Sequence, residues 1–148
     1  MNKGANDLTG FTLEQMTIGQ SASFSKTITE TDVTLFAGVS GDFNPAHVNE
    51  DYAKDTMFKG RIAHGMLCAS LLSTVLGMYL PGPGSIYLKQ DLKFLAPVRF
   101  NDTLKATCTV KEKREHKNMV VLDCRVTNQD DVVVIEGEAL IMPPKSVS

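Results

Sequence analysis

The chain has 148 residues and a net charge of −2 at pH 7, from 15 Lys and Arg against 17 Asp and Glu. The length predicts one domain spanning residues 1–148, and the 43% hydrophobic content excludes an intrinsically disordered chain. The near-neutral charge gives no overall basic field, so nucleic acid is not an expected partner. Only three His and three Cys are present, so chemistry based on an imidazole or a thiol has few residues to draw on.

The cysteines and the apolar segments indicate a protein of the reducing cytoplasm. Cys68, Cys108 and Cys124 are far apart and form no CxxC pair, which predicts neither a zinc site nor a disulfide framework. Residues 1–16 contain one Lys and no apolar core, unlike a signal peptide. The longest apolar stretch, residues 66–80, is too short to cross a bilayer. We therefore expect a cytoplasmic protein with no membrane partner.

The first predicted elements are an arm, a strand and a helix. Residues from about 1 to 10 are expected to form a loose N-terminal arm. Alternation of apolar and polar residues over 21–29 predicts a strand. Thr29 or Thr31 offers an N-cap for a short helix over 32–39.

A loop and a second short helix follow. Residues 41–45 are a predicted loop, because Gly41 frees the backbone and Pro45 holds Asn44 away from helical conformation. Asn49 can cap another short helix that runs to Asp55.

Residues 66–80 predict a helix buried on all faces, because only small hydroxyl side chains and one Cys lie among its apolar residues. Pro and Gly at 81–84 end this helix. Alternation then predicts four strands joined by short hairpins, at 86–94, 104–111, 119–127 and 132–142. The short connections indicate an antiparallel meander, and residues from about 143 to 148 form a tail. The pattern predicts an α+β protein whose antiparallel sheet wraps around one long buried helix, which is the hot-dog fold.

One of the three histidines lies close to a carboxylate in the sequence. His47 follows Asp42 by five residues across the Asn44-Pro45 turn, which can bring both side chains to one small volume. Together they could polarise a water by general acid–base catalysis. In the structural alternative, Asp42 caps a local amide in an Asx turn and His47 only makes a nearby hydrogen bond. His116, in contrast, lies in a charged hairpin turn and is expected to be solvated.

A second candidate feature is the sequence His64-Gly65 at the start of the long helix. The first amides of a helix have no internal partner and lie at the positive end of its dipole. A glycine there lets a ligand approach closely, so the Gly65 N–H could bind a developing oxyanion on a carbonyl. A plain helix start with glycine as the N-cap is the alternative. GxSxG, P-loop, GxGxxG and HExxH motifs are absent from the sequence.

The segment from Phe36 to His47, FAGVSGDFNPAH, resembles the signature of the MaoC-like (R)-specific enoyl-CoA hydratases. This family is also called hydratase 2, and the short monofunctional form supplies polyhydroxyalkanoate synthesis. The resemblance continues through residues 61–67, 80–87 and 94–98 and covers nearly the whole chain. One departure is Ala46, where the family usually carries a larger aliphatic residue.

The resemblance implies a hydro-lyase of fatty acid metabolism that converts trans-2-enoyl-CoA into (R)-3-hydroxyacyl-CoA. It implies that Asp42 and His47 hold and activate the water, and that the Gly65 amide faces the thioester carbonyl. It also implies a homodimer with two helices backed by one continuous sheet. No metal or other cofactor is expected, because the thioester already activates the alkene.

Three further residues are candidate substrate contacts. Ser73 matches a hydroxyl that lines the family's site, although two turns into a helix it could instead bond its own i−4 carbonyl. Leu76 and Ile141 are candidate walls of the acyl pocket from their periodicity, and core packing is the alternative for each.

Other functions remain open at this stage. A 3-hydroxyacyl-[acyl-carrier-protein] dehydratase would run the reverse reaction and would need a basic patch for its acidic carrier. Candidate cations for such a patch, or for CoA phosphates, are Lys59, Arg61, Lys89 and Arg99. A hot-dog acyl-CoA thioesterase commonly uses a carboxylate on the central helix, and residues 66–80 contain none. The presence of both Asp42 and His47 argues against a protein that only binds acyl thioesters.

Overall fold

A six-stranded antiparallel sheet and one long helix packed against it form the framework of residues 8–146, the part of the chain that the computed structural model describes. The strands are β1 (Ser21–Thr27), β2 (Ile86–Gln90), β3 (Lys93–Phe94), β4 (Thr103–Arg114), β5 (Met119–Thr127) and β6 (Val133–Met142). The helices are α1 (Glu30–Ser40), α2 (Pro45–Val48), α3 (Glu50–Ala53) and α4 (Gly65–Met78). A 3₁₀ turn, Glu115–Lys117, joins β4 to β5.

The strand order is β1-β4-β5-β6-β2, and β3 also pairs with β6. Strands β4, β5 and β6 form the predicted meander. Alternate residues of these strands point inward and form the core with one face of α4, among them Leu104, Ala106, Cys108, Leu122, Cys124 and Val126. The prediction of an α+β hot-dog fold is confirmed.

The predicted strand over 86–94 is wrong in extent and position. It consists of β2 and β3, and it lies at the sheet edge beside β6 instead of beside β4. Asp91 interrupts it, because its N–H donates to the Glu138 carbonyl (3.0 Å) and its Oδ1 accepts the Glu138 N–H (3.1 Å). Ile86 and Leu88 are consequently exposed at the edge instead of lying in the core.

The prediction that the long helix is buried on all faces is also wrong for the single chain. Cys68, Leu72, Val75 and other apolar residues of α4 are buried against the sheet. A stripe on another face, which we call the α4 stripe, is exposed and consists of Met66, Ser70, Ser73 and Gly77. These positions follow i, i+4, i+7 and i+11, so they share one side of the helix.

The start of α1 shows which of the two predicted caps is used. The Thr29 Oγ1 accepts the Asp32 N–H (3.1 Å), and Asp32 Oδ2 accepts the Thr29 N–H (2.9 Å), forming a capping box. Asp32 also forms an ion pair with Lys26 at 2.7 Å. Gly41, at a φ of 82°, ends the helix and donates its N–H to the Ala37 carbonyl.

The two ends of the described chain pack against the rest of the protein. Most of the predicted arm, residues 1–7, lies outside the described residues, but Gly10 is buried and donates its N–H to the Pro83 carbonyl (2.8 Å). In the predicted tail, Asn118 Nδ2 donates to the Pro143 carbonyl (3.1 Å). Within residues 8–146, no helix combines the length and the apolar character needed to cross a membrane.

Candidate active site

The Asn44-Pro45 turn positions His47 on α2. Asn44 Oδ1 accepts the Ala46 N–H (3.0 Å) as an N-cap, and Pro45 occupies the first helical position, where its missing N–H costs nothing. The His47 ring contacts the Ile62 carbonyl through Nδ1 at 2.8 Å. A carbonyl oxygen can only accept, so Nδ1 carries the proton, and in the neutral ring Nε2 keeps its lone pair.

Asp42 lies on the loop between α1 and α2. Its Oδ1 accepts the Asn44 N–H (3.1 Å), and its own N–H donates to Ser40 Oγ (3.1 Å). The Asx turn of the structural alternative is therefore present. It engages one carboxylate oxygen, and among residues 8–146 no hydrogen bond engages the other. The side chain of Asp42 is exposed to solvent, where a substrate can reach it.

His64 completes a cluster with these two residues. One side-chain atom of each of Asp42, His47 and His64 lies within 4.8 Å of the others. The His64 ring is stacked on the His47 ring, with centroids 3.9 Å apart and planes 29° apart. The structure thus brings the carboxylate and two imidazoles together, although His64 is not one of the residues that the sequence assigns to the site.

The donor set of this cluster is one carboxylate and two imidazoles. Carboxylate and imidazole groups within this distance can bind a transition metal or a water molecule. His47 Nδ1 and His64 Nε2 each donate to a main-chain carbonyl, so each ring has one nitrogen left for a ligand.

Gly65 is the first residue of α4, and the residue before it, His64, is the N-cap without a side-chain cap bond. The Cys68 N–H donates to the His64 carbonyl (3.2 Å) as the first bond of the helix. The N–H groups of residues 65–67 therefore have no partner within the helix and lie at the positive end of its dipole. A Cβ on Gly65 would lie 2.8 Å from the Phe94 ring, so the site has no room for a larger residue.

A cavity of about 460 Å³ joins these features, because both His47 and Gly65 line it. Its other walls are mainly apolar, including Met57, Phe58, Ile62, Phe94, Leu95 and Ile135. Phe94 and Ile135 lie in β3 and β6, whose strand patterns the sequence shows, but alternation does not indicate that they meet at a cavity. The remaining walls come from turns and loops without periodicity, so sequence analysis missed them. The resemblance over residues 94–98 is the one signal that could have identified part of this wall.

The three candidate substrate contacts do not line this cavity. Ser73 belongs to the exposed α4 stripe, while Leu76 and Ile141 are each 1% exposed and lie in the core. Ile141 pairs with Tyr87, whereas Ile135, which does line the cavity, pairs with Phe94 at the other end of β6. The core-packing alternative therefore describes Leu76 and Ile141 in the single chain.

Cys68 also lines the cavity but is a poor nucleophile. Burial raises the pKa of the Cys68 thiol to about 12, so the thiolate is scarce near neutral pH. Cys108 and Cys124 are buried and free as well, as the sequence predicts. The thiols therefore contribute packing to the core and the cavity wall instead of chemistry.

The candidate cationic patch is smaller than the sequence indicates. Arg61 forms ion pairs with Glu30 (2.8 Å) and Glu50 (3.5 Å) and lies over the Phe100 ring. Its guanidinium is thus occupied within the protein. Lys59 and Arg99 are exposed and follow the cavity-lining residues Phe58 and Val98, so they remain available for an anionic carrier. Lys89 lies on β2 and lines a different pocket.

A larger trough of about 680 Å³ lies on the solvent side of β4, β5 and β6. Four acidic residues line it, Asp91, Asp123, Glu136 and Glu138, against two cations, and it contains no imidazole. It offers neither an acid–base pair nor an environment for an anionic ligand. The smaller cavity at α4 is therefore the candidate active site.

A hot-dog fold with an apolar cavity lined by His47 and by the first residue of a helix, and with Asp42 beside His47, is the arrangement expected of a hydratase or dehydratase. The family comparison then identifies the chain more closely. The model of the MaoC like domain matches residues 14–132, and the chain belongs to this family. The resemblance predicted from the segment between Phe36 and His47 is confirmed.

Named relatives are similar over nearly the whole chain. An (R)-specific enoyl-CoA hydratase of Rhodospirillum rubrum is 56% identical over 142 residues, which cover 95% of this chain and 96% of the relative. The unliganded R-hydratase PhaJ1 from Pseudomonas aeruginosa superimposes with a TM-score of 0.87 at 46% identity, over 93% and 88% of the two chains. The (R)-hydratase from A. caviae involved in PHA biosynthesis superimposes with a TM-score of 0.86 at 41% identity, and the match covers 88% of this chain and 99% of that one. Plant mitochondrial 3-hydroxyacyl-[acyl-carrier-protein] dehydratases match at lower identity.

Proposed function

We propose that the protein is an (R)-specific enoyl-CoA hydratase, which adds water to trans-2-enoyl-CoA to give (R)-3-hydroxyacyl-CoA. The observation that supports this proposal is a cavity lined by both His47 and Gly65, the first residue of α4, with Asp42 within 4.8 Å of His47. The names of the most similar relatives support the same reaction.

In the proposed complex, the thioester carbonyl accepts a hydrogen bond from the Gly65 N–H. The acyl chain lies against the apolar walls formed by Phe58, Phe94 and their neighbours. A water molecule is held between the free carboxylate oxygen of Asp42 and Nε2 of His47, next to the β-carbon. Holding the reactants in this geometry removes much of the entropic barrier to addition.

The water oxygen forms a bond to the β-carbon as one member of the pair accepts its proton. The electron pair of the double bond moves toward the carbonyl, and the resulting enolate oxygen is stabilised by the Gly65 amide and the dipole of α4. A proton from the pair then forms the C–H bond at the α-carbon. Because one pair serves both steps, H and OH are added to the same face of the alkene.

The proposed reaction uses no metal or other cofactor, because the thioester already withdraws electrons from the alkene. We place the protein in the cytoplasm. A role in supplying polyhydroxyalkanoate precursors is part of the proposal, and it is supported by the name of the A. caviae relative.

We further propose that the protein acts as a homodimer. β2 is an edge strand with Ile86 and Leu88 exposed, and an exposed apolar edge favours pairing with another strand. The exposed α4 stripe lies on the long helix. A second copy that continues the sheet at β2 and packs its own α4 on this stripe would cover both surfaces.

CoA is the proposed carrier. Arg61 is occupied by Glu30 and Glu50, which leaves Lys59 and Arg99 near the cavity. Two cations suit the compact phosphates of CoA better than the extended acidic surface of a carrier protein. Turnover of crotonyl-CoA and of the same acyl group on a carrier protein would compare the two, and faster turnover of the protein-bound substrate would favour the dehydratase.

The proposal is tested with purified protein and crotonyl-CoA. The absorbance of the conjugated thioester should fall without release of free thiol, and the product should be the (R)-3-hydroxy enantiomer. Release of free CoA thiol would instead indicate a thioesterase. An unchanged absorbance would overturn the assignment as a hydratase for this substrate.

A further inference from the structure

The buried imidazole of His64 contacts both residues of the proposed catalytic pair. His64 is 2% exposed. Its Nε2–H donates to the main-chain carbonyl of Asp42 at 2.9 Å. Its ring stacks on that of His47, and the ring of Phe36 lies 4.8 Å from it, tilted by 56°. His64 is also joined by its peptide bond to Gly65.

We propose that His64 is a positioning residue, which holds the Asp42 loop and the His47 ring at a fixed distance from the Gly65 amide. This inference rests on the proposed function. A hydrogen bond fixes the loop, a ring stack fixes the imidazole, and the peptide bond fixes the distance to the helix N-terminus. One residue thereby links the groups that hold the water to the group that binds the carbonyl.

Packing alone does not account for an imidazole at this position. A buried polar group costs free energy unless it is hydrogen-bonded, and among the described residues His64 Nδ1 has no partner. The side chain also makes no cap bond to α4. An apolar side chain would fill the same space without this cost, so the hydrogen bond to Asp42 and the stack on His47 are what the imidazole adds.

Two substitutions separate these contacts. His64→Phe keeps a planar ring for the stack but removes the N–H, whereas His64→Gln keeps an N–H donor and removes the ring. We expect kcat for crotonyl-CoA hydration to fall about 100-fold in H64F, the scale expected for a misplacement of about 1 Å. H64Q should retain more activity, and KM should change less than about threefold in both, because the cavity walls remain. His116→Phe, in the exposed turn between β4 and β5, is the matched control and should keep its kcat.

A double-mutant cycle distinguishes positioning from a general effect on folding. H64F removes the hydrogen bond to the Asp42 loop, so it should lower the residual activity of Asp42→Asn no further, since coupled residues are not additive. An additive loss would overturn the proposal, as would a kcat of H64F equal to that of the wild type. If H64F does not fold, H64Q, which removes the ring stack, is tested in the same way against His47→Gln.

The tautomer of His47 provides a readout that does not depend on turnover. Nitrogen NMR should show His47 protonated at Nδ1 in the wild type and a mixture of tautomers in H64Q, where the loss of the stack frees the ring to turn away from the Ile62 carbonyl. An unchanged His47 tautomer together with unchanged kcat would refute the inference. An inactive wild type would instead refute the proposed function, so the two failures are distinguishable.

Discussion

His47 donates its Nδ1 proton to the main-chain carbonyl of Ile62 at 2.8 Å, and Ile62 donates its own N–H to the Ala46 carbonyl at 3.2 Å. Two hydrogen bonds therefore connect the short helix α2 to the segment before α4, and one of them is made by the imidazole. This pairing leaves Nε2, the nitrogen with the free lone pair, for the role that the proposed mechanism gives it. A carbonyl that accepts the proton of one ring nitrogen commonly fixes the tautomer and orientation of a functional histidine.

Asp42→Asn and His47→Gln should each lower kcat for crotonyl-CoA hydration by about 10²–10⁴-fold, the usual contribution of a general acid or base. Both side chains are at least partly exposed, so the thermal unfolding midpoint should change little. Stopped-flow absorbance and a thermal melt check the two parts. Full activity in either variant would contradict the assignment of that residue.

Gly65→Ala should lower kcat/KM by about 10²-fold or more, as loss of an oxyanion contact does. The added Cβ would meet the Phe94 ring at 2.8 Å and displace the wall beside the amide. Gly38→Ala in α1 is the control, since a Cβ there contacts nothing within 4 Å. It should keep the activity and raise the free energy of unfolding by about 0.5–1 kcal/mol. Equal activity of the two variants would exclude the proposed role of Gly65.

Asp32→Asn should lower the free energy of unfolding near pH 7 by about 0.5–1 kcal/mol, because it removes a negative charge that pairs with Lys26 at the N-terminus of α1. The hydrogen bond from Lys26 and the capping box lower the pKa of Asp32 below 3.8 in the folded protein. Its contribution is therefore present above the unfolded-state pKa and is lost as the pH falls through the lower folded-state value. Urea unfolding between about pH 7 and pH 3 should show the two proteins converging. Asp55→Asn, an exposed carboxylate, should show no such convergence.

Iodoacetamide should leave Cys68 unmodified in the native protein near neutral pH. Burial raises its thiol pKa to about 12, so only a very small fraction is thiolate. Intact-mass spectrometry should find no added carbamidomethyl group before unfolding and all three cysteines modified afterwards. Rapid native modification with loss of hydratase activity would show that the thiol is accessible and affects the site.

Leu88→Lys on the edge strand β2 should convert the proposed homodimer into monomers, because a charge there opposes pairing of the edge. Ser25→Lys on β1, the opposite and polar edge of the sheet, is the matched control and should remain dimeric. Analytical ultracentrifugation measures both. A wild-type monomer, or equal masses for the two variants, would contradict pairing at β2.

Features that depend on local chemistry were predictable from the sequence. The cap at Thr29, the turn at Asn44-Pro45 and the hairpins of β4 to β6 all follow from neighbouring residues. The approach of Asp42 to His47 is local in the same sense, since five residues and one turn separate them.

Features that depend on partners distant in the sequence could not be predicted from it. The alternation in residues 86–94 indicates a strand, but the pattern does not show that β6 is its neighbour or that one of its sides is an edge. The exposure of the α4 stripe could not be predicted for the same reason, because the apolar composition of a helix does not show which of its faces the sheet leaves uncovered. His64 was difficult to assign because its contacts join residues 17 and 22 positions away.

The Asx turn at Asp42 also has a consequence for the proposed catalytic cycle. With Oδ1 bound to the Asn44 N–H, the carboxylate occupies one rotamer before any substrate arrives. The side-chain entropy is therefore lost once, when the chain folds, and is not lost again each time a thioester binds. A hydrogen bond that looks like an ordinary loop contact thus reduces the reorganisation that the proposed mechanism requires in every turnover.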